Sequence, residues 1–306
     1  MNSFDYESAT ALVTGASRGI GACLARELAC RKIARLILVA RSEGDLQRLG
    51  QDLMDVYGVE VHVLVADLAQ PGAAREIFEE TERLGLTIDL LVNNAGFGSH
   101  GFFDALELGR ERRMIGVNID SLVALTHFYL PGMQERGWGG VLNVASTAGF
   151  VPVPFMATYA ATKAFVLSFS EALWSETRER GGDVRVVCLC PGGTATDFGA
   201  AVGSERGRFE DVPSSTPESV AVVGLDALDR GASYAVPGLA NYLGSLATRL
   251  GPRAMVADIA ATIFRPADAL EPSVVKAATR RRMGGAALLV GVGALAVCVL
   301  RTRKRG

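Results

Sequence analysis

Residues 9–21 read ATALVTGASRGIG, and this stretch decides the fold. An apolar run of strand length ends at Gly15, and from Gly19 to Cys30 the apolar residues recur at helical spacing. Three glycines, Gly15, Gly19 and Gly21, lie between or at the ends of these two segments. Glycine permits a tight turn and close approach of the backbone to a ligand, and the first turn of a helix attracts anions. The stretch therefore predicts a strand, an anion-binding turn and a helix in direct succession.

Apolar runs of strand length alternate with longer helical stretches as far as residue 193. Further strands are predicted at 34–40, 59–68, 88–96, 139–146 and 183–193, with a candidate seventh at 234–238. Helices are predicted at 42–57, 71–84, 111–135 and 159–180, and Thr216-Pro217-Glu218 indicates a later helix start. The alternation predicts an α/β fold, a Rossmann-type doubly wound parallel sheet of about seven strands with helices on both faces. Ligands of such folds bind beyond the carboxyl ends of the strands, near the point where strand order reverses.

Length and composition suit one large α/β unit with an appended tail. The chain has 306 residues, of which 49% are hydrophobic and 21% charged, so a large core is available. We predict a Rossmann-fold domain at 1–240, an amphipathic helical extension at 241–279 and a terminal segment at 280–306. For residues 239–264, ordinary packing and contact with a membrane surface both remain open.

The terminal segment combines an apolar run with basic flanks. Residues 284–300 contain no charged side chain, whereas residues 276–306 contain eight basic residues and no acidic one. This pattern predicts a C-terminal hydrophobic helix that anchors the chain in a membrane. A buried terminal helix of an oligomer, or a helix that enters one leaflet only, are the alternatives, and a homo-oligomer stays open. The net charge is −2, and because the tail is basic the rest of the chain is acidic, so nucleic acid is not expected as a partner.

Cysteine and histidine give no sign of a metal site. The five cysteines are odd in number and form no framework, and His62, His100 and His127 are scattered. For the C-x-C spacing at Cys188 and Cys190 we expect buried free thiols. The N-terminus MNSFDYESAT lacks the basic and apolar regions of a signal peptide, so we expect the main body to face a reducing cytosol.

Tyr159 and Lys163 stand four residues apart in the stretch YAATK, so on a helix they project from one face. A nearby ammonium favours phenolate and is expected to lower the pKa of the tyrosine. A phenol whose pKa is lowered in this way can exchange a proton with an alcohol or ketone oxygen. Ser146 ends the fifth predicted strand, and its hydroxyl can hydrogen-bond the same oxygen. These residues indicate proton-transfer chemistry at the carboxyl edge of the sheet.

Several motifs in this order resemble one family. Residues 14–21 have the spacing TGxxxGxG, residues 93–96 read NNAG, and Tyr159 and Lys163 form a YxxxK motif. Over roughly residues 8–200 the chain resembles the short-chain dehydrogenases/reductases. The resemblance implies that Tyr159 is the general acid/base and that Lys163 binds the cofactor ribose and lowers the tyrosine pKa. It also implies that Ser146 orients the substrate oxygen and that Asn118 holds a proton-relay water.

The end of the second predicted strand indicates which nicotinamide cofactor the chain binds. Enzymes of this fold that use NAD commonly place an acidic residue there, but this sequence has Ala40 and Arg41. Arg41, together with Arg18 of the glycine loop, can pair with a ribose 2′-phosphate, so NADP(H) is predicted. The resemblance implies further cofactor contacts at Gly15, Ser17, Gly19, Ile20, Gly21, Asp67, Leu68, Asn94, Ala95, Gly96, Pro191, Gly192, Thr194 and Thr196.

Apolar residues follow the strand ends where a substrate would bind. They lie within 97–104, 147–156 and 197–215, and they are Phe97, Phe102, Phe103, Phe150, Val151, Val153, Phe155 and Phe198. They can line an apolar pocket, although core packing or a subunit contact is an equal alternative for several of them. We predict an NADPH-dependent carbonyl reductase or alcohol dehydrogenase for a small apolar ketone, such as a 3-oxoacyl chain, a steroid or another lipid. The catalytic domain is expected on the cytoplasmic side of the membrane.

Two other functions are compatible with parts of the sequence. A non-catalytic, membrane-tethered NADPH-binding sensor or scaffold is the main alternative, and the complete catalytic set argues against it. An epimerase or dehydratase of the extended branch is disfavoured by the spacing of the glycine loop.

Overall fold

The stretch at residues 9–21 folds as predicted. In this computed structural model, which describes residues 3–195, 215–248 and 251–266, strand β1 (Thr10–Thr14) leads into helix α1 (Gly19–Cys30). Every residue of β1 is buried. Helix α1 buries Gly21, Leu24, Ala25 and Leu28, which recur at the spacing of one helical face.

Seven parallel strands form one sheet within the described residues, in the order β3-β2-β1-β4-β5-β6-β7. The remaining strands are β2 (Arg35–Ala40), β3 (Glu60–Val65), β4 (Leu90–Asn93), β5 (Trp138–Val144), β6 (Asp183–Leu189) and β7 (Tyr234–Ala235). The remaining α-helices are α2 (Glu43–Tyr57), α3 (Ala73–Arg83), α4 (Leu108–Ile115), α5 (Ser121–Arg136), α6 (Ala157–Arg180), α7 (Pro217–Asp229), α8 (Leu239–Ala247) and α9 (Arg253–Phe264). The predicted Rossmann-type α/β fold is thereby confirmed.

Two large apolar clusters lie against the sheet. One joins α1, α2 and α7 to the strands through residues such as Leu24, Leu46 and Leu225. The other joins α3 and α5 to the strands through residues such as Ile77 and Leu125. The central strands β1, β2 and β4 are mostly apolar and buried because both faces of the sheet are covered there.

The order of the strands reverses between β1 and β4, which are neighbours in the sheet although β2 and β3 intervene in sequence. A crevice opens at such a reversal because the crossovers on either side run to opposite faces. The glycine turn follows β1 and the NNAG segment follows β4. The fold therefore brings these two sequence motifs together at one place.

Some element boundaries differ from those predicted. The helix predicted at 111–135 is two helices, α4 and α5, joined by a π-helical turn at Gly116–Asp120. Strand β7 has only two residues, and the extension after it forms α8 and α9. Helix α7 begins as predicted, because Thr216 Oγ1 accepts the backbone N–H of Ser219 at 3.2 Å and Pro217 occupies the first turn.

Buried free thiols are confirmed at Cys188 and Cys190, whose Sγ atoms lie 3.7 Å apart. Among the residues that the structure describes, no group of three or more His, Cys, Asp or Glu side chains is arranged to hold a metal ion.

The predicted C-terminal hydrophobic helix at 284–300 lies outside the described residues. Thr196 and Phe198 lie outside them as well. Of the helices within 3–195, 215–248 and 251–266, none combines the length and the apolarity that a membrane crossing requires.

Candidate active site

The turn between β1 and α1 depends on its glycines. Gly15 and Gly19 have φ angles of 63° and 56°, a conformation that residues with a Cβ rarely adopt. A Cβ on Gly21 would lie 2.2 Å from the carbonyl oxygen of Gly15, so only glycine lets α1 approach the turn this closely. The first N–H groups of α1 have no partner within the helix and face the crevice end of the sheet. This cradle fits a pyrophosphate group, which is the part of a dinucleotide that the motif predicts there.

Asn94 ties the glycine turn to the end of β4. Its side-chain Nδ2 donates to the carbonyl oxygens of Thr14 and Gly15, at 2.9 and 3.2 Å. The backbone N–H groups of Asn94 and Ala95 donate to Thr14 Oγ1, at 3.0 and 3.1 Å. These four bonds set the separation of β1 and β4 at the point where the strand order reverses.

Other residues predicted to contact the cofactor follow β1, β2 and β3. Ser17 and Arg18 precede α1, Arg41 directly follows β2 and is exposed, and Asp67 and Leu68 follow β3. Asp67 Oδ1 accepts the backbone N–H of Ala69 at 3.1 Å, which orders the turn after β3. Ile20 packs against the apolar cluster beside α1. The structure thus brings these residues to the same edge of the sheet.

The segment after β6 is held on two sides. The carbonyl oxygen of Pro191 accepts the backbone N–H of Thr147 at 2.9 Å, and Thr194 Oγ1 donates to the carbonyl oxygen of Gly192 at 3.1 Å. A Cβ on Gly192 would lie 2.5 Å from Asn241 Nδ2, so α8 packs directly on this segment. Sequence reasoning missed Asn241, because it lies far along the chain and outside every motif.

Helix α6 carries Tyr159 and Lys163 to the end of β5, where Ser146 lies. Tyr159 and Ser146 are hydrogen-bonded through their side chains. Lys163 Nζ donates to the carbonyl oxygen of Val144 at 2.8 Å and lies 5.9 Å from the centre of the Tyr159 ring. Ser146 Oγ also accepts the backbone N–H of Ala148 at 3.1 Å, which fixes the serine side chain. The three predicted catalytic side chains therefore meet at one point.

Asn118 lies in the π-helical turn between α4 and α5. Its Nδ2 donates to the carbonyl oxygen of Phe97 at 3.1 Å and to Thr162 Oγ1 at 3.0 Å, while its Oδ1 accepts the N–H of Phe97 at 3.1 Å. Thr162 Oγ1 in turn donates to the carbonyl oxygen of Tyr159 at 2.7 Å. A Cβ on Gly96 would lie 3.1 Å from Asn118 Oδ1 and 3.3 Å from Lys163 Nζ, so both polar groups face this glycine. π-helical turns such as the one that contains Asn118 often occur at functional sites.

Burial governs the electrostatics of Tyr159 and Lys163. It raises the pKa of Tyr159 to about 12, because the hydrogen bond with Ser146 offsets only part of the desolvation of the phenolate. It lowers the pKa of Lys163 to about 8, with a smaller opposing effect from the thiols of Cys188 and Cys190. The expected lowering of the tyrosine pKa by the lysine is thus not the net result in this structure. The spacing of the two residues in the sequence predicted that they lie close together, but it gave no sign that both side chains are buried. That burial makes desolvation the dominant effect.

An apolar cluster surrounds the phenol. Buried Met114, Val153 and Met156 pack with Tyr159, and Phe97, Val151 and Phe264 pack against them. The carbonyl oxygen of Phe264 is 2.7 Å from His100 Nε2, so the end of α9 is attached to the loop after β4. Sequence reasoning did not place Met114, Met156 or Phe264 at this site, because none of them belongs to a motif and the helix that carries Met114 is charged at four of its eight positions.

The remaining predicted wall residues have different environments. Phe150 packs with a core cluster that contains Leu122 and Cys188, so for this residue core packing is the better description. Phe102 and Phe103 are 51% and 63% exposed, and Phe102 stacks edge-on against Phe155 at 5.2 Å. The loop after β4 therefore has a partly buried apolar side chain at Phe97 and exposed apolar side chains at Phe102 and Phe103.

Comparison with known proteins supports the interpretation of these motifs. A sequence profile of the short chain dehydrogenase family matches residues 9–207. The very-long-chain 3-oxoacyl-CoA reductase of Anas platyrhynchos is 39% identical over 179 residues, which are 56% of this chain and 56% of that protein. The chain thus matches little more than half the length of this curated relative. The ketoacyl reductase HetN of Nostoc sp. is 31% identical over 212 residues, which are 69% of this chain and 72% of that protein.

The fold is also similar to solved structures. A short-chain dehydrogenase from Sphingobium yanoikuyae in complex with NADPH matches with a TM-score of 0.71 and 32% identity. The match covers 79% of this chain and 94% of that one. The similarity therefore extends past the segment after β6.

Proposed function

Because the chain belongs to the short-chain dehydrogenase family, which its match over residues 9–207 establishes, we propose that it is an NADPH-dependent reductase of apolar, lipid-like ketones. The proposed substrate class is the 3-oxoacyl chain, with steroids and other lipid ketones as the nearest alternatives. Support for this class comes from two relatives that are named as 3-oxoacyl-CoA and ketoacyl reductases. Support for the cofactor comes from Arg18, Arg41 and the absence of a carboxylate at Ala40.

One observation carries the proposal: a hydrogen-bonding set for a ketone oxygen lies inside an apolar enclosure. Tyr159 and Ser146 present two hydroxyl groups at the end of β5. Met114, Val153 and Met156 enclose the same phenol. A site of this kind favours a substrate that has one polar oxygen and otherwise apolar surface.

The cofactor would be held along the carboxyl edge of the sheet. The glycine turn would bind the pyrophosphate, Arg18 and Arg41 the 2′-phosphate, Asp67 and Leu68 the adenine, and Pro191 to Thr196 the nicotinamide. When bound, NADPH supplies the hydride that reduces the carbonyl carbon.

The side chains of this chain supply the proton. Ser146 and Tyr159 donate hydrogen bonds to the ketone oxygen, and the phenol proton passes to that oxygen as negative charge develops on it. Lys163 lies close enough to stabilise the phenolate that remains. Asn118, whose side chain bonds Phe97 and Thr162, would order a water through which the phenol regains its proton. A non-catalytic NADPH sensor would need none of these groups.

Turnover by the purified chain tests the proposed substrate class. With NADPH, kcat/KM is expected to rise at least about ten-fold when several methylenes are added to a short 3-oxoacyl thioester, since each buried CH₂ contributes about 0.8 kcal/mol. A short polar ketone is the control, and NADH is the matched co-substrate. Equal turnover of short and long chains would contradict an apolar pocket, and better turnover with NADH would contradict the cofactor. NADPH binding without turnover of any ketone would favour the sensor.

We also propose that residues 284–300 attach the chain to a membrane. The proposal rests on the sequence of this run and of its basic flanks, since the residues lie outside the described part of the chain. A variant that ends at residue 279 is expected to stay in the supernatant after sedimentation of membranes, whereas the full chain pellets. NADPH binding by the shortened variant is the control for folding. If the shortened variant still pelleted while binding NADPH, this run would not be the sole anchor.

A further inference from the structure

A cavity of about 400 Å³ lies between α1 and α2, beside the glycine turn. Ser17 of the turn lines it together with Arg26, Asp45, Arg48 and Asp52. Asp45, which lines it, is hydrogen-bonded to Ser42, the second residue after β2. The cavity therefore lies next to the place where the proposed cofactor would put its adenosine ribose.

Asp45 accepts hydrogen bonds from the side chains of Ser42 and Arg48 beside this cavity. Ser42 Oγ donates to Asp45 Oδ2 at 2.6 Å, and the guanidinium of Arg48 donates to the other carboxylate oxygen. Ser42 precedes α2 but makes no side-chain bond to the helix backbone, because its hydroxyl is directed to Asp45. The hydrogen bond from Ser42, followed by the positive charges of Arg48 and Arg18, lowers the pKa of Asp45. The carboxylate thus accepts hydrogen bonds from both Ser42 and Arg48.

We propose that Asp45 is an internal competitor of the ribose 2′-phosphate, and that Arg48 and Ser42 become phosphate ligands when the carboxylate is displaced or neutralised. The inference rests on the proposed function, and it adds three residues that determine cofactor specificity.

Two physical effects act together in this competition. A 2′-phosphate carries a charge of about −1.5 to −2 at neutral pH, and a carboxylate close to it opposes binding. The phosphate must also take hydrogen bonds from Ser42 and Arg48 that Asp45 already receives. A ligand without the 2′-phosphate meets neither effect. Asp45 therefore narrows the preference for NADP(H) over NAD(H) that Arg18 and Arg41 create.

Binding of two small probes to the full-length chain tests the inference without turnover. Adenosine 2′,5′-bisphosphate and adenosine 5′-monophosphate differ only in the 2′-phosphate, so the ratio of their dissociation constants isolates its contribution. Isothermal titration calorimetry of Asp45→Asn is expected to raise the preference for the bisphosphate at least five-fold, mainly through tighter binding of the bisphosphate. Binding of the monophosphate reports on folding of the variant.

Asp52→Asn is the matched control. Asp52 lines the same cavity but pairs with Arg26, at 3.6 Å, rather than with Ser42 or Arg48. This variant loses the same charge and is expected to change the preference by less than two-fold. Adding Arg48→Gln to Asp45→Asn should then remove most of the increase in preference for the bisphosphate. In the single variant Arg48 no longer pairs with a carboxylate and can donate to the 2′-phosphate.

The outcomes separate this inference from the proposed function. An unchanged or smaller preference in Asp45→Asn, with the wild-type chain binding the bisphosphate, would overturn the inference and leave NADP(H) as the cofactor. An equal increase in the preference for the bisphosphate in Asp52→Asn would also overturn it, because the loss of any negative charge near the cavity would then explain the result. If the wild-type chain did not prefer the bisphosphate at all, the proposed cofactor and this inference would both fail.

Discussion

Tyr159→Phe is expected to lower kcat by at least about 10³-fold while NADPH binding changes less than three-fold, since general acid catalysis contributes about 10²–10⁴. The variant removes the phenol oxygen that Ser146 hydrogen-bonds and that would donate the proton. The fold should be retained, because the ring still packs with Met114, Val153 and Met156. Steady-state kinetics and the dissociation constant of NADPH, measured by fluorescence, give the two quantities.

Tyr129→Phe is the matched control for the loss of a buried tyrosine hydroxyl. Tyr129 lies on α5, bonds Thr81 Oγ1 at 2.9 Å, and has a pKa that burial raises to about 12, as does Tyr159. It lies in the apolar cluster on α3 and α5, and its variant should keep nearly full turnover. Residual turnover in Tyr159→Phe within ten-fold of the wild type would remove Tyr159 from the mechanism.

Lys163→Met is expected to lower kcat/KM by at least about 10²-fold and to change how stability depends on pH. The loss of turnover follows because no cation then remains beside the phenol to stabilise its phenolate. The change in stability follows from burial, which lowers the pKa of Lys163 to about 8 in the fold, against 10.5 for a solvated lysine side chain. Below about pH 8 the folded protein holds a buried ammonium, and the unfolded chain solvates it better.

The direction of the pH effect follows from linkage. Between about pH 8 and 10.5 the unfolded chain binds more protons at Lys163 than the folded chain, so the contribution of Lys163 to stability rises with pH. That contribution is complete above the unfolded pKa and is lost as the pH falls through about 8. The free energy of unfolding of the wild type minus that of Lys163→Met should therefore rise from pH 7 to pH 10. The rise is on the order of 2–3 kcal/mol, at about 1.4 kcal/mol for each unit of pKa shift.

Urea unfolding of both proteins at several pH values measures this difference. Subtracting the variant cancels the other groups that titrate in the same range. Lys32→Met is the control for the loss of a lysine side chain, because the Lys32 side chain is 79% exposed. A flat difference between wild type and Lys163→Met would mean that the amine is solvated in the fold.

Local sequence patterns were sufficient to predict much of the fold and part of the candidate active site. The glycine spacing after β1 and the four-residue spacing of Tyr159 and Lys163 depend only on turn and helix geometry over a few residues. The apolar strands are recognisable because a parallel sheet is covered on both faces. These features predicted the strand ends at which Ser146, Asn94 and Asp67 lie. The π-helical turn was not predictable, since the apolar pattern continues through Gly116–Asp120.

The sequence by itself determined the order in which strands and motifs follow one another along the chain. It also determined which side chains lie at the carboxyl edge of the sheet, because periodicity and turn chemistry are short-range properties. Only the tertiary structure decided what surrounds those groups. Phe264 reaches the Tyr159 cluster and Asn241 reaches Gly192 from helices that follow the last sequence motif. Burial reverses the expected direction of the Tyr159 pKa, because desolvation depends on every element packed around a group and not on its neighbours in sequence.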